Sequence, residues 1–297
     1  MKRLVLFVLV SMIFGFGAIF AQTASSFEGE STSTVTSMQK MTSSVKTKNI
    51  LAKAILKNVM KKVENNGMYT GTYESTNIVK GNKSKNYLPY NDSYIITEKK
   101  GDQLVITTYY PGIKKGYYTT NNMTNNQQQL EMMRKGKVEK TGETMVIMGH
   151  KCDVYKVKYE VKADTAGTTS ITNLHNEFAI CNDPSLPSAD EKVVPGVKGV
   201  PLKFINNTVS QTTNDMLNLD VQIYIASVVK EIKPRKVDDS EFSIPEGFKI
   251  INADKDPKGM AKIIEENQKY LKKNNKLVTN NPDEIKVYDN LNEDWEY

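Results

Sequence analysis

ETMVIMGHKCDVYKVKYEVKADTAGTTSITNLHNEFAIC, residues 143–181, reads as a strand, a tight corner and a long hairpin, and it holds both cysteines and both histidines of the chain. If Cys152 and Cys181 face each other across antiparallel strands, paired residues sum to 333 and the turn centres between Ala166 and Gly167. The small, polar, Gly-containing segment Asp164–Thr168 sits there, between two β-rich runs, as a hairpin loop requires. The same register sets Tyr155 opposite Phe178 and Tyr159 opposite Leu174 on one face, and Lys156 opposite Glu177 on the other. Cross-strand aromatic and opposite-charge pairs stabilise a sheet, and a slip of one residue destroys all of them at once. A disulfide between Cys152 and Cys181 follows from that register.

Two free buried thiols and a metal site are the competing readings. In the predicted register His175 pairs with Lys158, eight residues beyond His150, which puts the imidazoles roughly 26 Å apart at ~3.3 Å per residue. No single ion bridges that span, and a zinc tetrahedron wants closely spaced ligand pairs. The expectation is therefore a structural disulfide, with no metal and no cofactor. Closing the loop stabilises the fold by up to ~3–4 kcal/mol on the chain-entropy model, less where the hairpin persists in the unfolded chain.

The start of the chain fits an oxidising compartment. Lys2 and Arg3 precede an apolar run from Leu4 to Phe20 that ends at Ala21, the pattern of a cleaved secretory signal. No other segment is long and apolar enough to span a bilayer, so no integral membrane segment is expected after cleavage. Cleavage removes two positive charges, taking the formal net charge from +6 to +4, an excess that does not argue for a nucleic-acid partner. Apolar residues at 39% suffice for a core.

Outward from the hairpin, residues 22–46 are Ser/Thr-rich without apolar periodicity and read as a flexible leader. Leu51, Ile55, Val59 and Val63 recur every fourth residue with lysines on another face, predicting an amphipathic helix over 47–64 that packs on a sheet. MYTGTYEST, DSYIITEKK, QLVITTYY and KKGYYTT, between Met68 and Thr120, predict an antiparallel meander, with GNKSKN among the turns. Residues 124–134 predict a short helix contributing Leu130 and Met133 to the interior. A Pro/Gly-rich loop spans 182–200, a strand opens at Pro201, and VQIYIASVVKEI is a strand covered on both sides. Between those strands NNTVSQTTNDMLNLD reads as a turn. Asp256 as N-cap and Pro257 at the first position begin a final helix with Met260, Ile263, Ile264, Tyr270 and Leu271 on one stripe. DEIKVYDNLNEDWEY, with six carboxylates and one lysine, reads as an exposed acidic tail.

At KTGETMVIMGHKCDVYKVKY, KGVPLKF and VDDSEFSIPEGF the sequence resembles a family of uncharacterised secreted bacterial proteins, similar in fold to the periplasmic lipoprotein carriers of the LolA and LppX type. The likeness covers roughly residues 65–250 and rests on a Gly-x-x-Cys corner, a Pro-Leu-Lys strand start and a Glu-Phe-x-Ile-Pro-x-Gly-Phe ending. It implies an α+β fold: a curved antiparallel sheet forming an open half-barrel, with helices on the concave side and room for an acyl chain. The division expected is a signal peptide at 1–21, the leader at 22–46, a half-barrel domain at 47–253, and a helix with acidic tail at 254–297.

Three functions are weighed. The first is an exported envelope protein binding or carrying a lipid or acyl chain, with Tyr155, Val157, Tyr159, Leu174 and Phe178 lining the site. The second is a structural or protein-interaction component of the envelope of a Gram-negative bacterium, without a ligand, meeting an envelope partner through the acidic tail. An enzyme is not expected, because GxSxG, HExxH, GxGxxG and GxxxxGK patterns are missing and the disulfide leaves no free thiol.

Overall fold

The computed structural model describes residues 27–46, 53–54, 71–122, 136–165, 168–186, 194 and 196–274. Its strands are β1 Glu28–Val45, β2 Gly71–Lys80, β3 Lys83–Leu88, β4 Ser93–Lys100, β5 Gln103–Tyr110, β6 Lys115–Asn122, β7 Lys137–Ile147, β8 His150–Thr165, β9 Thr168–Cys181, β10 Val200–Thr213, β11 Leu217–Pro234 and β12 Lys249–Asn252. They join in a single 12-stranded sheet in the order β12-β6-β5-β4-β3-β2-β1-β11-β10-β9-β8-β7. Every pairing is antiparallel except β12 with β6, which is parallel.

This is not the expected α+β half-barrel with helices on its concave side. Apart from two helical residues at 53–54, the described α-helix is α1, Pro257–Lys273, which packs at the β5–β6 end of the sheet. The helices predicted over 47–64 and 124–134, the signal segment and the acidic tail lie outside the described residues, the pair 53–54 excepted.

The largest departure is β1. The stretch read as a flexible leader is, over Glu28–Val45, an 18-residue strand in the middle of the sheet, paired with β11 from Gly29 to Val45 and with β2 from Glu28 to Ser37. Serine and threonine serve in such a strand because their hydroxyls bond sideways to neighbouring strands: Thr36 Oγ1 lies 3.0 Å from Thr72 Oγ1. KSKNYL, partly read as a turn, is β3. The long turn expected between β10 and β11 shrinks to Asn214–Met216, where the Asn214 carboxamide oxygen accepts from the amides of Met216 and Leu217, both at 2.9 Å.

The central hairpin has the predicted register. Cys152 pairs with Cys181, Tyr155 with Phe178, Lys156 with Glu177 and Tyr159 with Leu174. At the β7–β8 corner Met148 and Gly149 both have positive φ, 53° and 83°, the conformation of a two-residue hairpin turn, in which glycine carries no steric cost.

Because side chains alternate along every strand, the register divides the sheet into a Tyr155 face and a cysteine face. One transverse row on the Tyr155 face runs Tyr155, Phe178, Phe204, Ser227, Val35, Tyr73. Two chain segments cross the sheet. After β11, residues 235–248 pass over β2–β5 on the cysteine face, anchored by Val237, Phe242, Ile244 and Phe248 against Ile78, Ile96, Tyr94 and Tyr109. Lysines from β2 and β3 hold this strap: Lys80 Nζ donates to Val237 O at 2.9 Å and Lys85 Nζ to Glu241 O at 2.8 Å. Arg235 grips both carboxylate oxygens of Glu241 at 2.8 Å, and Asp238 caps the 3₁₀ turn Asp239–Phe242. The strap ends in β12, a four-residue edge.

The opposite edge, β7, is bulged between Lys140 and Thr144 and carries Lys137, Glu139, Lys140 and Glu143 as exposed residues. Bulges, charges and short strands are the devices that stop sheet edges from pairing with other chains.

Candidate functional site

Tyr155, Val157, Tyr159, Leu174 and Phe178 do share one face, as their spacing predicts. The sheet brings Phe204 of β10 alongside, with its ring 5.0 Å from that of Phe178, together with Val138 of β7 and Ile180 of β9 itself. Val194 and Val197, from the segment between β9 and β10, close over the group. Val157, Phe178 and Val194 are each 1% exposed, while Tyr155, Tyr159 and Leu174 are half-buried, so the Val157–Phe178 part of the group is covered by the chain itself.

Towards the hairpin tip the same face turns polar. Tyr159 bonds to Asn176, and burial pushes its phenol up to about 12. Asn206 Nδ2 donates to Asn176 Oδ1 at 2.7 Å, and Thr208 Oγ1 donates to Asn206 Oδ1 at 2.9 Å. Beyond them Thr172 pairs with Ser210 and Ser170 with Thr212, each at 3.0 Å. Of the twelve buried polar residues among those described, ten lie on the Tyr155 face, from Asn176 in β9 to Thr108 in β5. Sequence patterning hides this strip, since alternation of serine or threonine with other polar residues has no apolar period.

The cysteine face carries the disulfide, Cys152–Cys181, fully buried with a Cα–Cα distance of 4.0 Å among Ile147, Ala179, Leu186, Leu202 and Val229. The turn after Cys181 lies over it. His150 Nδ1 is 2.7 Å from Asp183 Oδ2, while the amide and hydroxyl of Ser185 donate to Asp183 Oδ1 at 2.9 and 2.6 Å. These bonds, the Ser185 hydroxyl first and His150 next, hold the Asp183 carboxyl down at about 2. The arrangement fastens the turn that follows Cys181 over the disulfide.

His175 stands eight positions further along the hairpin than His150, opposite Lys158; burial, then the charge of Lys158, lower its pKa. Among the described residues no group of three or more His, Cys, Asp or Glu could hold a metal ion. None of their helices is long and apolar enough to cross a membrane.

No family model and no curated protein matches the chain. Among solved structures it is matched with the crystal structure of Ail, the attachment invasion locus protein of Yersinia pestis, at 11% identity and a TM-score of 0.13, covering 68% of this chain and 99% of that one. An overlap at that TM-score carries no argument about fold or activity. The resemblance to the LolA and LppX carriers is nonetheless overturned. A single almost all-β sheet, with its one long described helix beside two sheet corners, is not their architecture. The short motifs behind the resemblance have local duties here: Gly149 makes a corner, Pro201 and Leu202 form a bulge in β10, and Phe242 and Ile244 anchor the strap. The disulfide fits an exported protein.

Proposed function

We propose that this chain is an exported component of a Gram-negative cell envelope, acting as a structural or protein-interaction module and not as a carrier of a small apolar ligand. The observation that carries the proposal is the filled state of the hairpin face: Phe178 and Val157 are 1% exposed beneath Val194. An acyl chain seated there would have to displace the chain's own core. The buried disulfide supports export, and the guarded sheet edges suit a protein that meets partners through surfaces of its own choosing. No catalytic residue, metal or cofactor enters the proposal.

Extraction of the protein from its native host, followed by lipid mass spectrometry and a fluorescent fatty-acid titration, tests it. No stoichiometric lipid and no saturable uptake are expected, together with an envelope protein captured in a pull-down. A co-purifying lipid whose binding is lost in Val194→Trp would restore the carrier reading.

A further inference from the structure

Helix α1 has two unlike sides. Met260, Ile263, Asn267 and Leu271 are buried, with Met260 and Ile263 packed on Tyr110 and Tyr117, and Asn267 Nδ2 donating to Asn91 O at 2.8 Å. At 100° per residue, Lys258, Lys262, Lys269, Lys272 and Lys273 all fall on the opposite side, and all are exposed. The helix carries two glutamates, and both are engaged: Glu265 with Lys269 at 2.7 Å and Glu266 with Lys115 of β6 at 2.6 Å. Lys258, Lys262, Lys272 and Lys273 make no ion pair among the described residues. Exposed Lys249 and Lys255, just before the helix, extend the same positive sign.

The segment directly after this helix has the opposite sign. Residues 283–296 hold Asp283, Glu284, Asp289, Glu293, Asp294 and Glu296 against Lys286 alone. The described chain stops at Asn274, at the lysine-rich end of α1, so the first of these carboxylates lies nine residues on. The helix is ~26 Å long at 1.5 Å per residue, and a linker of nine residues has the reach to bring the acidic segment back alongside it. Tethering makes the encounter intramolecular, at an effective concentration of order mM. Screening over ~8 Å at physiological ionic strength leaves contact pairs intact while removing longer-range attraction.

We propose that the acidic segment 283–296 of this chain docks on the lysine face of α1 and covers it against other anionic partners. The inference goes beyond the envelope proposal and does not rest on it; the lipid and pull-down experiments do not bear on it.

Trp295 is the only tryptophan in the chain and lies within the segment, so its emission reports docking without a label. Steady-state anisotropy of Trp295 is measured in the full chain from about 0.02 M to about 1 M salt. The comparison is a variant with all six carboxylates neutralised, Asp→Asn and Glu→Gln, every one of them outside the strands of the sheet in sequence. The anisotropy is expected to be high at low salt and to fall with added salt to the value the neutralised variant shows throughout. Zero-length carboxylate–amine cross-links are expected to join the segment to Lys258, Lys262, Lys269 or Lys272 within one chain. Equal, salt-independent anisotropy in both proteins overturns the proposal, as do cross-links scattered over the lysines of β2, β3 and β8. Cross-links that join isotopically labelled to unlabelled chains would assign the face to a second copy. Equal binding of phosphatidylglycerol vesicles by the full chain and the neutralised variant would show the face uncovered.

Discussion

Asp183 shows how a single side chain couples the fold to pH. Its carboxyl is held at about 2, below the ordinary 3.8, so the charged form is favoured in the folded state. The contribution is complete above the unfolded value and is lost as the pH falls from about 4 through about 2. Thermal melts across that range should show wild-type Tm falling more steeply than that of Asp183→Asn, which has no proton to gain. Phe178 is the corresponding test of the apolar side. With 1% of its surface exposed and Phe204, Val157 and Val194 around it, Phe178→Ala should cost ~3–5 kcal/mol in chemical denaturation. A cost under about 1 kcal/mol would mean that the site collapses around the gap, or that it was open from the start.

Elements differ in how plainly they were written in the sequence. The β8–β9 register was legible because apolar and charged residues alternate with period two and both cysteines fix the phase. Helix α1 was equally legible: Asp256 Oδ1 accepts from the Gly259 amide at 2.8 Å, as its N-cap position requires. Strand β3 was not, because its lysines serve a distant segment, the strap: Lys85 meets the Glu241 carbonyl and Lys83 the Asp239 carboxylate, partners no local pattern can announce. The apolar group Tyr155, Val157, Tyr159, Leu174 and Phe178 was found, but what fills it, Val194, comes from a Pro/Gly-rich loop without periodicity. The strap makes its own prediction. Phe242→Ala should destabilise by ~3–5 kcal/mol, since the ring is buried against Ile96 and Tyr109. Lys230→Ala, which removes an exposed pairing with Glu74, should stay within ~0.5 kcal/mol. Limited proteolysis followed by mass mapping should then find new cleavage between Arg235 and Phe248 in Phe242→Ala alone.

At the scale of the whole molecule the sheet depends on β1, because β1 joins two halves that share no other strand-to-strand ladder among the described residues: the β2–β6 meander with its strap and helix on one side, and β7–β11 with the disulfide on the other. The ladder of β1 with β11 joins residues 172 to 205 positions apart, and side chains add to it: Arg235 with Glu30 at 3.3 Å and Val237 N with Glu28 Oε1 at 2.6 Å. Pairing of this kind forms late and is entropically expensive, so β1 waits for β11 before it is held on both sides. Deleting residues 28–45 should abolish the cooperative thermal transition and leave the product insoluble, whereas a flexible leader would be removed without effect. A gentler pair of variants separates a structural role from mere loss of length. Val35 is buried on the Tyr155 face between Ser227 and Tyr73, so Val35→Asp places a carboxylate where no partner exists and should remove several kcal/mol. Ser44→Asp, on an exposed stretch of the same strand, should change stability by no more than ~0.5 kcal/mol. Equal melting temperatures for the two variants would place residues 28–45 outside the core and remove the link between the halves.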